Sequence, residues 1–199
     1  MKRITPAALA VIMLWLGCTT ATEKRYYQLH ISTPPQPIST APFPGTILVL
    51  DAAVDRIYEG YRLVYRLSPY QLDFYNYEYW IKKPSHMIRE ALVSYLKERN
   101  VFSRHILSDD EAEPDWILHS RVDALEECDQ RDAWYAHLSM SIRIVDRRGK
   151  RILVEHRFDR MDRLARRDSR LLPGALSNIL RTELDKMVLK LQQTAAISP

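Results

Sequence analysis

Apolar and polar residues alternate in several segments of the chain, which is the pattern of β-strands with one buried face. Segment 61–67 alternates tyrosine and leucine with arginine and valine, and segment 70–80 alternates again after Ser68-Pro69. The two segments therefore predict a β-hairpin. Segment 46–53 is rich in aliphatic residues and predicts a buried strand before the hairpin.

Three more strands are predicted over 116–125, 133–146 and 151–158, with a turn at 147–150. In 116–125 the alternation predicts an inward set, which comprises Trp116, Leu118, Val122 and Ala124. In 133–146 the inward set comprises Trp134, Ala136, Leu138, Met140, Ile142 and Ile144. The opposite face of each strand is polar, which predicts one solvent-facing side.

Apolar residues spaced three and four apart predict two amphipathic helices. The first begins at Pro84-Ser85, with Ser85 as the N-cap, and the second runs from Pro173 to about Gln193. The element order is then β-β-β-α-β-β-β-α. It predicts an α+β fold, with one mainly antiparallel or mixed sheet and two helices packed on one face. A single domain over 46–196 contains all of these elements.

The first residues of the chain have the build of a secretory signal. Segment 1–17 begins with two cations and continues with an apolar run too short to span a bilayer. The Gly17-Cys18 pair at its end predicts a lipoprotein signal peptide and a lipid attached to Cys18, although Trp15 and Leu16 depart from the usual residues there. Two or three acyl chains on such a cysteine would give a lasting membrane anchor.

A proline-rich stretch follows the cysteine. Five prolines within 19–45 disfavour helix and sheet, which predicts an extended, lipid-anchored tether over 18–45. Within the tether, segment 26–29 is apolar enough to dock on the domain as a short strand. Thr19 follows the cysteine where an aspartate would favour inner-membrane retention, so we expect the outer membrane of a Gram-negative cell, facing the periplasm.

The composition is that of one globular domain, with 199 residues of which 46% are hydrophobic and 27% charged. The five glycines lie far apart, which excludes a dinucleotide-binding fingerprint and a P-loop. If Cys18 carries lipid, Cys128 has no partner for a disulfide. The chain has no Cys-x-x-Cys motif, which argues against thiol redox chemistry and structural zinc.

No catalytic constellation stands out, so we expect a protein that is not an enzyme and has no cofactor and no metal. His119 and His137 lie on the polar faces of strands that we expect to be neighbours, and Asp123 or Glu155 would have to supply a third metal ligand. A solvent-facing surface is the favoured interpretation of these residues. The acidic pair at 126–127 is expected at a strand end, without a raised pKa.

Positive charge is concentrated in one segment. Without the signal peptide the chain has 27 basic against 25 acidic residues, but segment 143–170 has eleven basic against five acidic ones. One interpretation is a patch that binds an acidic protein or anionic headgroups. The candidate residues are Arg157, Arg160, Arg163, Arg166 and Arg167. The alternative is a solvated loop, since Asp159, Asp162 and Asp168 are interspersed, and nucleic acid is not expected for an exported chain.

Tyrosines are concentrated in a second segment, since seven of the eleven lie within 58–79. Tyr75, Tyr77 and Tyr79 are predicted to share one face of a strand whose other face is also apolar. Exposed tyrosines are common at protein interfaces, so these three are candidate partner-binding residues. The alternative is that the helices cover one face and the tether the other.

Several of these segments together resemble a known family. Gly17-Cys18 followed by a Tyr-Tyr-Gln-Leu sequence at 26–29 resembles the opening of ABC-type transport auxiliary lipoproteins of the PqiC-like group. The sequence 79–84, Tyr-Trp-Ile-Lys-Lys-Pro, resembles the family's Trp-x-x-Pro entry to the first helix, with one extra residue before the proline. The strands at 46–53 and 61–67 continue the likeness, while 51–58 lacks the family's usual Leu-Asp and proline-rich phrase.

The resemblance implies a non-catalytic component of an intermembrane transport system for lipids or other hydrophobic compounds. Such lipoproteins accompany MCE-domain proteins with their ABC permease and ATPase, and dock the MCE assembly to the outer membrane. The implied partners are an MCE-domain protein and the membrane through the lipid anchor, and both a homo-oligomer and bound lipid stay open. Other interpretations are an activator or assembly factor for a cell-wall or outer-membrane machine, a direct lipid binder and, with least support, a hydrolase.

Overall fold

The computed structural model describes residues 23–31, 43–106, 113–130 and 133–197. The predicted α+β class is confirmed, because the described residues form one mixed sheet of nine strands and two α-helices. The strands are β1 (Arg25–Tyr27), β2 (Phe43–Val49), β3 (Ala53–Val54), β4 (Arg62–Ser68), β5 (Gln71–Trp80), β6 (Phe102–Ile106), β7 (Trp116–Gln130), β8 (Ala133–Asp146) and β9 (Ile152–Arg163). The helices are α1 (Pro84–Glu98) and α2 (Leu172–Ile197), and short 3-10 helices lie at Arg56–Tyr58 and Ser169–Leu171.

Strand β7 is the centre of the sheet. It has 15 residues, roughly 50 Å at ~3.4 Å each, so several short strands can pair with one of its edges in succession. There β2, β3 and β4 pair in parallel with residues 116–118, 121–122 and 126–128 of β7. The other edge of β7 pairs antiparallel with β8, and β8 pairs with β9. The remaining pairs are β4 with β5 (antiparallel), β1 with β5 and β2 with β6 (both parallel).

Most predicted elements are present, with several differences in their bounds. The hairpin is β4 and β5, but the predicted strand over 46–53 is divided into β2 and β3. Strand β6 was not predicted, because it is short and three consecutive polar residues at 103–105 separate its two apolar ends. The expected N-cap of α1 was wrong: Lys83 is the cap residue and Pro84 occupies the first turn, where its missing N–H costs no hydrogen bond.

The two α-helices pack on one face of the sheet, which we call the inner face, and they also contact each other. The hydroxyl of Tyr95 in α1 donates to Asp185 of α2 at 2.6 Å, and Arg99 donates to the same carboxylate. The core between the helices and the sheet contains fully buried Leu, Ile and Met side chains from both layers. The opposite side of the sheet is called the outer face.

A β-bulge in β7, between Val122 and Ala124, reverses the side-chain alternation. Before the bulge, Val122 lies opposite Met140 on the inner face, and after it Leu125 lies opposite Leu138 on that same face. Ala124 lies opposite Ser139 and so belongs to the outer face, contrary to the prediction that it shares a side with Val122. From the bulge onward, odd-numbered residues of β7 point inward.

The segment before β2 contributes to the folded unit. Strand β1 pairs with residues 78–80 of β5, and Leu29 and Ile31 are buried in the core, as the expected docking of 26–29 requires. Residues 25–31 therefore belong to the domain rather than to the tether predicted over 18–45. Cys18, the predicted signal peptide and most of the proline-rich stretch lie outside the described residues. In the described part of the chain, neither helix combines the length and the apolar character that crossing a membrane requires.

Candidate functional site: the outer face of the sheet

The outer face of β7, β8 and β9 is a polar surface that neither α-helix covers. It is formed by the side chains that alternate with the buried inner-face residues, which explains why it is charged. Its exposed polar residues include His119, Arg121, Arg143, Glu155, Arg157, Asp159 and Arg163. Three neighbouring strands therefore present a broad surface for contact with another molecule.

Arg157 lies in a shallow pocket of about 330 Å³ that Arg121 and Arg143 also line. Arg121 is neutralised by Asp55 at 2.6 Å and Asp123 at 2.7 Å. Among the residues that the structure describes, Arg143 and Arg157 have no carboxylate within salt-bridge distance. This part of the outer face therefore carries two arginines that form no salt bridge, while Glu155 lines the same pocket and lies opposite Arg143 in the β8–β9 register.

The other candidate arginines differ in how their charge is compensated. Arg160 pairs with Asp162 at 3.7 Å, Arg166 with Asp168 at 3.1 Å, and Arg167 with Asp129 at 3.7 Å. Arg163 has no such partner among the described residues. Of the five arginines that the sequence singled out, the structure thus leaves Arg157 and Arg163 unpaired. The two lie six residues apart on the outer face of β9, on the order of 20 Å.

The three candidate tyrosines do not share one face, because β5 is irregular between Phe74 and Tyr79. Tyr75 is half-buried on the inner face, where its ring lies 4.9 Å from that of Tyr65 and its hydroxyl donates to Glu127 at 2.9 Å. Tyr79 lies against Tyr26 of β1, with ring centroids 5.7 Å apart. Tyr77 is 44% exposed, so it is the most accessible of the three.

A cluster of buried polar side chains on the outer face was not predicted. Glu126, fully buried on β7, accepts hydrogen bonds from Arg66 at 2.5 and 3.1 Å and from the Tyr58 hydroxyl at 2.5 Å. Its Oε1 also lies 3.0 Å from Nδ1 of His137 and 3.6 Å from the thiol of Cys128. We call Arg66, Tyr58, Glu126, Cys128 and His137 the Glu126 cluster.

The hydrogen bonds of the Glu126 cluster outweigh the effect of burial. Burial alone would raise the pKa of Glu126, but the bonds from His137, Arg66 and Tyr58 lower it to about 2. Burial would lower the pKa of His137, but its bonds with Cys128, Glu126 and Asp159 raise it to about 10. Glu126 therefore stays ionised and holds three strands together through charged hydrogen bonds.

Glu127, the next residue, points to the inner face and has a different environment. Its only hydrogen bond in the described part of the chain comes from Tyr75, and its second oxygen has no partner there. Burial raises the pKa of Glu127, and it raises the pKa of Tyr75 with help from the Glu127 charge. The expectation that the pair lies at a strand end without a raised pKa was therefore wrong.

The bulge explains why the sequence did not indicate these sites. It changes which residues of β7 share a face, and nothing in a single sequence marks it.

The two candidate histidines, His119 and His137, are not side by side in the sheet. His119 lies opposite Arg143 of β8, and His137 of the same strand is six residues away from Arg143, opposite Glu126. The two histidines are therefore on the order of 20 Å apart, which excludes a metal site that joins them.

Comparison with known proteins identifies the family of the chain. Residues 27–188 match the family described as ABC-type transport auxiliary lipoprotein component. The chain belongs to this family. Its sequence resemblance to the family is thereby confirmed across nearly the whole domain.

The fold of this auxiliary lipoprotein is also that of solved structures. A Xanthomonas campestris protein of the DUF330 family is 15% identical, with a TM-score of 0.70 over 86% of this chain and 99% of that one. A second crystal structure, of an uncharacterized protein, is 17% identical, with a TM-score of 0.62 over 89% of this chain and 97% of that one. At these identities the likeness is one of fold. No curated protein matches the chain in sequence.

Membership of the family indicates the general role of the chain. The chain is an auxiliary lipoprotein of ABC-type transport, which implies other transport components as partners and suggests a place in the cell envelope. The family is one of transport auxiliary proteins rather than a known enzyme family.

Proposed function

We propose that the chain is the lipid-anchored, periplasm-facing component of an ABC/MCE-type system that moves lipids or hydrophobic compounds between the membranes. Cys18 would carry the anchor in the outer membrane, and the domain would dock the MCE assembly without catalysing a reaction. Two features support the proposal: family membership over residues 27–188, and the Gly17-Cys18 sequence after an apolar segment.

The docking surface that we propose is centred on Arg157 and Arg163. Both are exposed on the outer face of β9, and neither has a carboxylate partner among the described residues. An unpaired surface guanidinium loses no internal ion pair when a partner binds it, whereas Arg160, Arg166 and Arg167 would have to exchange one. The unpaired charges of Arg157 and Arg163 are the observation on which the proposed docking surface rests. They favour a partner whose contact surface is acidic.

Tyr77 and Tyr79 form a second part of the proposed surface, at the edge of β5. Tyr77 is exposed, and Tyr79 lies beside the exposed Tyr26. Aromatic side chains of this kind supply contact area at low cost in side-chain entropy. Tyr75 is left out of the surface, because it faces the interior.

The proposal is tested by co-purification from membranes of a host that expresses the complete system. The MCE-domain protein should co-purify with the full chain, and much less should do so with the double variant Arg157→Glu, Arg163→Glu. The double variant Arg148→Glu, Arg151→Glu makes the same charge change at two exposed residues of the β8–β9 turn, and it should leave the yield unchanged.

Gene neighbourhood offers an independent check. The proposal expects genes for an ATPase, a permease and an MCE-domain protein beside the gene for this chain. Specific capture of a peptidoglycan synthase in place of an MCE-domain protein, or equal capture by the double variant, would overturn it.

A further inference from the structure

Three different metal-binding side chains converge within the Glu126 cluster. The Oε1 atom of Glu126 lies 3.0 Å from Nδ1 of His137 and 3.6 Å from Sγ of Cys128, and the sulfur lies 3.7 Å from the same imidazole nitrogen. All three donor atoms lie within 4.8 Å of one another. Two of the residues come from β7 and one from β8, so the paired strands themselves hold the group together.

The distances between the three donor atoms are close to those expected for ligands of a single zinc ion. Zinc binds thiolate sulfur at about 2.3 Å and imidazole nitrogen or carboxylate oxygen at about 2.0–2.2 Å. Tetrahedral angles then put the donors roughly 3.3–3.6 Å apart. The observed separations depart from these by a few tenths of an ångström, a shift that side-chain rotation supplies without movement of the strands.

The surroundings have the features of an outer ligand shell. Nε2 of His137 lies 2.8 Å from Asp159, and donation of its proton there would leave Nδ1 free to coordinate. Arg66 and Tyr58 orient the Glu126 carboxylate, and Arg66 uses one lone pair of Oε1, leaving the other available. The charge of Arg66 opposes a cation, but Glu126, Asp159 and a Cys128 thiolate together outweigh it.

An ion could reach the group from the surface. A pocket of about 490 Å³ lies beside it, lined by residues of β4, β7, β8 and β9 that include Cys128 and His137. Met161, directly opposite His137 on β9, also lines the pocket. Access from this side leaves a fourth coordination position facing the pocket.

We propose that Glu126, Cys128 and His137 form a three-ligand binding site for Zn²⁺, with the fourth position open to the pocket. Asp159 acts as a positioning residue through the imidazole. The ion would link β7 to β8 and provide a point at which a carboxylate or imidazole from outside could coordinate. Binding takes up the thiolate and the neutral imidazole, so protons leave both groups as the ion enters.

The test uses the purified full chain with Zn²⁺ alone, and with Co²⁺ alone as a spectroscopic probe. We expect one Zn²⁺ per chain by calorimetry, and a thiolate-to-cobalt charge-transfer band on addition of Co²⁺. Because the chain has two cysteines, the band should persist in Cys18→Ser and disappear in Cys128→Ser. The second variant should also bind Zn²⁺ at least about tenfold more weakly.

Two further variants separate coordination from loss of structure. Asp159→Asn should keep the charge-transfer band but weaken Zn²⁺ binding by about tenfold, the usual effect of an outer-shell partner. His119→Gln changes an exposed histidine of the same face and should leave binding unchanged. Undiminished affinity in Cys128→Ser, absence of the cobalt band in the full chain, or loss of binding in His119→Gln would overturn the proposal.

Discussion

Glu126 and Glu127 are consecutive residues of β7, yet their carboxylates lie on opposite faces of the sheet in contrasting electrostatic environments. Glu126 is held by a bidentate guanidinium, a phenol and an imidazole. Glu127 receives one hydrogen bond, from Tyr75, and its second oxygen is unpartnered in the described part of the chain. The two side chains should therefore respond oppositely to neutralisation.

Glu126→Gln should destabilise the protein by about 3–5 kcal/mol, because it leaves the partly buried Arg66 without its counter-charge. Glu127→Gln should change stability by about 1 kcal/mol or less, since it removes a buried charge that has little compensation. Urea unfolding followed by circular dichroism measures both changes. A cost for Glu127→Gln equal to that for Glu126→Gln would contradict the assigned environments.

Tyr75→Ala should destabilise the domain by about 3 kcal/mol, because it leaves a cavity beside Tyr65 and strips Glu127 of its hydrogen bond. Tyr77→Ala should change stability by no more than about 0.5 kcal/mol, since Tyr77 is exposed. Thermal melts of the single variants separate the two. A substantial loss of Tm in Tyr77→Ala, with none in Tyr75→Ala, would reverse the assignment of interior and surface.

The contribution of Glu183 to stability should depend on pH. This residue of α2 is buried, and burial would raise its pKa, but Lys186 at 2.6 Å and His156 of β9 at 2.9 Å lower it below its ordinary value of 4.5. Lys190 also faces the group, 3.1 Å from His156. The native state therefore binds this proton less tightly than the unfolded state does.

It follows that the stabilisation by Glu183 is present above about pH 4.5 and is lost as the pH falls below that value. Glu183→Gln should cost about 2 kcal/mol at pH 7. The difference from the unmodified chain should shrink on acidification, as unfolding curves collected from pH 7 to pH 3 would measure. A difference that stays constant over this range would argue against an ionised Glu183.

Cys18→Ser should release the protein from membranes while leaving its domain folded, because the lipid is the proposed anchor. Fractionation of the envelope, with circular dichroism of the released protein, measures both effects. Retention of the variant in the membrane fraction through residues 1–17 would show that the segment is not a cleaved lipoprotein signal.

The strands and helices could largely be predicted because their patterns are local. The alternation in 133–146 and the spacing of apolar residues after Pro173 each report one buried face, and the structure contains β8 and α2 there. Burial of one face requires apolar residues at alternate positions of a strand or three to four positions apart in a helix, and this spacing can be read directly from the sequence. The family resemblance rests on the same kind of local evidence.

The pairing of strands that are distant in the chain could not be predicted from the sequence. The side-chain clusters that depend on this pairing could not be predicted either. The bulge near Val122 turns Glu126 toward Arg66 and His137 and turns Glu127 toward Tyr75. Arg66 and Tyr75 lie 60 and 52 residues away from these partners along the chain. The irregularity in β5 likewise separates Tyr75 from Tyr79. By itself the sequence determined the fold class, the signal-like segment and the family. Only the tertiary structure decided which charges are paired and which donor atoms meet, because a shift of one residue in a strand exchanges its two faces.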